Sequence, residues 1–180
     1  QRQMCIRDRL GTGMKFTEGP VWIKKEKRLV FSDIPNSLQM EWTSAKGVKE
    51  WRKVEQSNGN LMDLDNNILS CQHAGRNIIR TSANGSVKVI ADKFEGKKFN
   101  SPNDLAVRSN GEIWFTDPSY GLRGRKAEVD GKWVYKLKKD FPDFYKILCE
   151  IKVRFQFIDH DVVLEDWAEM IQVCLLYTSP

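Results

Sequence analysis

The chain has 180 residues, 41% of them hydrophobic, and a formal net charge of +5, which is one domain's worth of polypeptide with enough apolar material for a core. The positive charge is scattered, with short runs only at residues 24–27, 97–98 and 136–139 and no aromatic interleaving, so it reads as solvated loop tips and excludes a nucleic-acid groove. No apolar run approaches membrane-spanning length, so no membrane partner is expected.

Taken in chain order, the first residues are unusual. Met4-Cys5-Ile6-Arg7-Asp8-Arg9 can be encoded as ATG TGT ATA AGA GAC AG, and Cys174-Leu175-Leu176-Tyr177-Thr178-Ser179 as TGT CTC TTA TAC ACA TCT. These strings are reverse complements offset by a partial codon, the pattern of a transposase-type sequencing adapter read into the frame from both sides. Residues 1–9 and 174–180 are therefore expected to be adapter-derived scars and carry no weight in the fold. The polypeptide is then expected to be a fragment whose true termini are unseen. Of the four cysteines, Cys5 and Cys174 fall in those segments. Cys71 and Cys149 have no paired spacing, which excludes a disulfide framework and a structural zinc site.

Within residues 10–137, expected to form the N-terminal part of a β-propeller, the stretch 16–121 repeats one short sentence three times. Strands are predicted at 29–33, 68–72 and 113–117, each an apolar run ending in a small polar group, Asp33, Gln72 or Asp117. Each follows a turn (residues 24–27, 65–67 and 110–111), and before each turn lies another apolar strand, at 21–23, 61–64 and 105–107. The spacing of about 40 residues is that of a propeller blade built from a few antiparallel strands. The first block runs over residues 16–53 with a turn at Ile34-Pro35-Asn36. The second, over 56–98, adds strands at 77–81 and 87–91, joined through Asn84-Gly85, a dipeptide that predicts a type I′ hairpin because both central residues tolerate positive φ. The third begins at Ser101, and residues 132–137 predict a further strand. The expected fold is all-β, a partial propeller of about two and a half to three blades.

After Leu137 the rhythm changes. Residues 138–173 read as an atypical segment, chimeric, frame-shifted or natively divergent, with helical spacing at Val163, Trp167 and Ile171 and Asp161 as a candidate N-cap. Asp63-Leu64-Asp65-Asn66-Asn67 superficially resembles a calcium loop of the helix–loop–helix kind. Its sixth position is Ile68 rather than glycine, and its twelfth is Ala74 rather than glutamate, so it is read as a blade turn.

Five phrases carry a resemblance: Phe16-Thr17-Glu18-Gly19-Pro20-Val21-Trp22, Phe31-Ser32-Asp33-Ile34-Pro35-Asn36, Gln72-His73-Ala74-Gly75-Arg76, Asn100-Ser101-Pro102-Asn103-Asp104, and Trp114-Phe115-Thr116-Asp117-Pro118-Ser119-Tyr120-Gly121. In this order and spacing they resemble the gluconolactonase / senescence-marker-protein / luciferin-regenerating-enzyme family of six-bladed β-propellers, the bacterial gluconolactonases above all, over residues 14–137. The resemblance implies one divalent metal at the end of the central channel, calcium by preference, with zinc, manganese and magnesium as alternatives. It implies Glu18 as the acidic ligand from the first blade and Asn103 as a metal ligand or substrate contact. A hard cation wants oxygen donors converging from several blades, which both side chains supply. His73 and Arg76 resemble a loop at the channel mouth, although the family more often has an acid where Gln72 stands. Asp117 and Tyr120 resemble the loop that walls the substrate pocket, and Asp117 can equally cap the turn before Pro118.

The resemblance implies a metal-dependent sugar-lactone hydrolase acting on a small-molecule lactone, the metal polarising the carbonyl for attack by water. No catalytic base is assignable, since the family's later ligands and its aspartate base have no matching phrase after Leu137; the chain is accordingly expected to be inactive. The rival readings are a non-catalytic propeller that binds a ligand, since fold alone does not settle function, and an esterase or phosphotriesterase of the same metal architecture. A cytoplasmic location is slightly favoured, with a periplasmic one left open because the true N-terminus is unseen.

Overall fold

The computed structural model describes residues 9–137 and 144–147. The expected helix over 162–171, and residues 1–8 and 174–180, lie outside them. Within the described residues the fold is all-β, as the repeat predicts: fourteen strands, two short 3-10 turns and no α-helix.

Three four-stranded antiparallel meanders follow one another. Blade 1 comprises β1 (Thr17–Ile23), β2 (Arg28–Asp33), β3 (Leu38–Thr43) and β4 (Gly47–Lys53). Blade 2 comprises β5 (Ser57–Met62), β6 (Ile68–Gln72), β7 (Asn77–Thr81) and β8 (Val87–Ala91). A two-stranded ribbon, β9 (Lys93–Phe94) and β10 (Lys97–Lys98), leads into blade 3. Blade 3 comprises β11 (Leu105–Val107), β12 (Ile113–Asp117), β13 (Trp133–Leu137) and β14 (Phe144–Ile147). Strand β14 pairs with β13 from Val134↔Ile147 to Leu137↔Phe144 and gives the third meander its fourth strand.

The same turn recurs at the tip of each blade. Amide-to-carbonyl bonds close four-residue turns from Lys27 to Lys24 (3.3 Å), Asn66 to Asp63 (3.1 Å) and Gly111 to Arg108 (2.9 Å). The last residue of each has positive φ, +49°, +63° and +86°. The Asp63 carboxylate also accepts the backbone amides of Asp65 and Asn67, at 2.9 and 2.8 Å, so this segment is a blade turn. The turn at Asn84-Gly85 differs from its expectation. Gly85 has φ +84° while Asn84 is not in the left-handed region, and Gly85 N–H bonds Ser82 C=O at 2.8 Å. It is a four-residue turn with glycine last, the same solution as at the blade tips, and not a two-residue type I′ hairpin.

A polar residue at the end of the second strand fastens each blade to the chain entering it. Asp33 accepts the amides of Lys15 and Phe16 at 3.2 Å each. Gln72 accepts that of Glu55 at 2.8 Å. Asp117 accepts those of Asn100 and Ser101 at 2.8 and 2.7 Å.

Apolar side chains fill the space between blades. Leu69, Cys71 and Ile78 of blade 2 pack with Leu105, Ile113, Phe115, Tyr135 and Leu137 of blade 3, and with Phe94 and Phe99. The Phe99, Phe115 and Tyr135 rings lie 4.9–5.3 Å apart, a spacing that adds geometric preference to the area they bury. Val21, Ile23 and Val30 of blade 1 pack with Ile68 of blade 2. Elsewhere the contact between blades 1 and 2 is polar. Asn60 accepts from Gln39 Nε2 at 2.6 Å and donates to Gly19 O and Ser32 Oγ at 2.8 and 2.9 Å. Ser32 and Ser57 hydroxyls share a bond of 2.7 Å. The side chains of Ser32, Gln39, Ser57 and Asn60 are buried, and the partners satisfy one another, which is the condition under which such a seam is tolerated.

Candidate functional site

The innermost strands, β1, β5 and the segment entering β11, come together at one end, and the candidate residues lie there. β1 approaches β5 closely because of Gly19. Its φ is +57°, and a Cβ there would stand 2.2 Å from Asn58 O and 2.8 Å from Asn60 N. Only glycine permits both the backbone conformation and the contact. Glu18, just before it at a break in the β1–β2 register, is half-buried. Burial pushes its carboxyl above the ordinary value; a bond from the Gly19 amide opposes this, and the negative charge of Asp104 adds to it.

Blade 3 contributes Asn103 and Asp104 from the loop that Asp117 fastens. Asn103 N–H bonds Thr116 O at 2.9 Å, and its carbonyl accepts Gly59 N–H at 2.8 Å. Gly59 is a strand residue, not a turn. A Cβ on it would lie 2.3 Å from Asp104 Oδ1, so blades 2 and 3 also meet over a glycine. Burial raises the Asp104 carboxyl, partly offset by the Leu105 amide. Asn58 of β5 sits between: its Nδ2 lies 2.5 Å from Asn103 Oδ1 and 3.2 Å from His73 Nε2.

His73 is buried, with 5% of its surface exposed. Its imidazole is held below its ordinary pKa, first by burial and then by the charges of Arg123 and Arg125, with the nearby Asn103 side chain working the other way. Tyr120 stands edge-on to it, ring centroids 5.8 Å apart, with 60% of its own surface exposed. The Arg125 guanidinium fixes this rim: it donates to the carbonyls of His73 and Ala74 at 2.8 Å each, of Leu122 at 3.1 Å and of Gly121 at 3.3 Å.

The structure thus brings Glu18, Asn103, His73 and Tyr120 into one neighbourhood. Asp117 is placed differently. It is fully buried beneath the loop, with both oxygens taken by the Asn100 and Ser101 amides, so it holds the segment that presents Asn103. Its carboxyl is pushed up to about 6 by burial. Arg76 is likewise committed, to Phe99 O at 2.5 Å and Glu128 at 3.0 Å. The sequence reading misses Asn58 entirely and assigns Asp104 no role. The signal for Asp104 was its place in the Asn103-Asp104 phrase; for Asn58 it was an Asn-Gly pair, which ordinarily marks a turn.

The family profile described as "SMP-30/Gluconolactonase/LRE-like region" matches residues 16–153. The chain belongs to this family. A gluconolactonase of Zymomonas mobilis subsp. mobilis is 33% identical over 150 residues, spanning 73% of this chain and 42% of that protein. Among solved structures, a gluconolactonase from Xanthomonas campestris superposes with a TM-score of 0.72 at 32% identity, over 77% of this chain and 48% of its own. A calcium-binding regucalcin from Agrobacterium tumefaciens superposes at 0.56 with 20% identity, over 76% and 44%, and shows likeness of fold. The chain spans about half the length of these gluconolactonase-family relatives.

Members of this family raise the question of a metal. Among the described residues no three of His, Cys, Asp and Glu converge to hold an ion. The oxygen donors of this region are the Glu18 carboxylate, the Asn103 amide and the Asp104 carboxylate, whose charge acts on Glu18. These are the donors a hard cation prefers, and the raised carboxyls of Glu18 and Asp104 mark a place where positive charge would relieve desolvation and repulsion. The set fits such a cation in kind. In number it falls short of the roughly six to eight oxygens calcium takes.

Proposed function

We propose that this chain supplies three blades of a metal-dependent sugar-lactone hydrolase. The observation that carries the proposal is that the inner strand of blade 2 touches both Gly19, beside Glu18 of blade 1, and Asn103 of blade 3, which accepts the Gly59 N–H, in a chain of the gluconolactonase family. The metal is a divalent cation, calcium by preference, in keeping with the calcium-binding regucalcin that shares the fold. Glu18 and Asn103 hold it, together with ligands from further blades. When bound it supplies a Lewis acid for the lactone carbonyl.

The chain's own residues do the rest of what can be assigned. Glu18 offers a carboxylate whose raised pKa falls back once a cation is beside it. Asp104 adds a second negative charge that acts on it. Asn103 is presented on a backbone locked by Thr116, Gly59 and Asp117. His73 and Tyr120 form a rim whose imidazole and phenol are both neutral, suited to hydroxyl groups of a sugar lactone rather than to an anion. The general base belongs to blades outside this chain, and the 180-residue polypeptide is accordingly inactive by itself.

The test uses the full-length parent with a panel of sugar lactones, aryl esters and phosphotriesters, with and without chelator. Lactone turnover that is lost on chelation, restored by calcium and reduced at least about 10-fold by Glu18→Gln is expected, since removing a ligand leaves the ion under-coordinated. Preference for phosphotriesters moves the reading to the other hydrolase, and binding without turnover moves it to a binding module. Lactonase activity in the purified 180-residue chain refutes the claim that it is inactive.

A further inference from the structure

We infer that Asn58 is the positioning residue of this site, the group that fixes which atom of the Asn103 amide faces the metal. The inference rests on the reading of Asn103 given above. An asparagine amide has two nearly isosteric ends, one oxygen and one nitrogen, and only the oxygen can hold a cation. The backbone of Asn103 is anchored on both sides, to Thr116 O at 2.9 Å and to Gly59 N–H at 2.8 Å, but those bonds leave its side chain free to turn over.

Asn58 removes that freedom. Its Nδ2 carries two hydrogens, and each has an acceptor: Asn103 Oδ1 at 2.5 Å and, when the imidazole is protonated on Nδ1, His73 Nε2 at 3.2 Å. The amide end of Asn58 is decided by the imidazole, since its own oxygen in that place would face the Nε2 lone pair at 3.2 Å. Asn58 in turn decides Asn103. A carbonyl oxygen has two lone pairs. With one occupied by the Asn58 hydrogen, the other remains for a ligand, and the flipped rotamer would set Asn103 Nδ2 against Asn58 Nδ2. Partners in the outer shell of metal sites act in this way on carboxylates and imidazoles, and here the same logic applies to an amide.

Asn58 is itself seated by three elements. Its carbonyl accepts from Ser32 Oγ of blade 1 at 2.8 Å and from Asn60 Nδ2 at 3.0 Å, and the next residue bonds to blade 3. It therefore transmits the relative position of three blades to one amide group.

The experiment is side-chain amide NMR on the whole 15N-labelled chain, metal-free and then titrated with calcium chloride. Asn103→Leu assigns the Asn103 pair by its loss. In the unmodified chain the Asn58 Nδ2 hydrogens are expected to exchange slowly with solvent, and the Asn103 pair to be well dispersed. Asn58→Leu, similar in volume, collapses the Asn103 pair towards the positions of a freely rotating amide and weakens calcium binding about 10- to 100-fold. His73→Phe removes one acceptor only and leaves the Asn103 pair dispersed. The inference is overturned if the Asn103 pair is unmoved by Asn58→Leu, or if the Asn58 hydrogens exchange freely in the unmodified chain, a measurement that needs no variant to fold. If the unmodified chain binds no calcium but the Asn103 pair still follows Asn58, the positioning role stands and the metal reading falls. If it binds calcium and Asn58→Leu binds equally well, the metal reading stands and the positioning role falls.

Discussion

Replacing Gly19 by alanine tests whether the closeness of the first two inner strands is a requirement of the site. The useful comparison is Gly47→Ala, because the two glycines share a backbone conformation and differ in room. Gly47 has φ +63° with nothing within 4 Å of an added Cβ, whereas Gly19, at φ +57°, would bring that carbon to 2.2 Å from Asn58 O and 2.8 Å from Asn60 N. The left-handed conformation costs an alanine about 1–2 kcal/mol, partly offset by the smaller entropy of the unfolded chain. That term is common to both variants. The contact with backbone atoms is not, and no side-chain rotation relieves it, so blades 1 and 2 must separate. Overpacking of this kind costs about 1–3 kcal/mol, and this is the expected difference between the two variants. Guanidinium denaturation followed by tryptophan fluorescence reads it, with the midpoint shifted further for Gly19→Ala at an unchanged slope. Unfolding free energies that agree within about 0.5 kcal/mol would refute the reasoning, because variants differing only in room would then be equivalent.

Three further outcomes follow from the same geometry. Asn60→Ala strips partners from Gln39, Gly19 and Ser32 at once and is expected to cost about 2–4 kcal/mol in denaturant unfolding, because buried polar groups left unmet lose more than a bond is worth. Asp117 has its carboxyl raised to about 6 in the folded state against about 4 in the unfolded chain. The folded form binds the extra proton between those values, so its contribution to stability is present below about pH 4 and is lost as pH rises through about 6; Asp117→Asn flattens that part of the pH–stability curve relative to the unmodified chain, and an unchanged slope counts against the assignment. Arg125→Ala frees the carbonyls of His73, Ala74, Gly121 and Leu122, and hydrogen exchange is expected to quicken at Tyr120, Gly121 and Leu122 while β6 stays protected.

The blade repeat was legible because each second strand announces itself: an apolar run, a turn before it, a polar stop after it. Strands β6, β7, β8, β11 and β12 fall on the residues the pattern predicts. The inner strand of blade 2 did not. It begins at Ser57 rather than Leu61, because Ser57, Asn58, Gly59 and Asn60 face other blades through hydrogen bonds, and a search for alternating apolar residues passes over a strand whose neighbours are polar. The same fact hid Asn58. Glu18 and Asn103 were legible only as parts of family phrases, since a lone carboxylate and a lone amide carry no periodicity. For Asp117 the residue was found and its task was not: a polar stop at a strand end looks the same whether it points into a pocket or beneath it, and only the two amides at 2.7–2.8 Å distinguish the cases.

The fastening residues have a consequence for how such a chain assembles. Asp33, Gln72 and Asp117 reach back only 16 to 18 residues to the amides they hold. The loop closed by each is short, so the entropy of closing it is modest and nearly the same for every blade. Every meander therefore locks its own entrance before it needs a neighbour. Assembly can proceed outward from any blade at a speed set by local contacts rather than by closure of a ring.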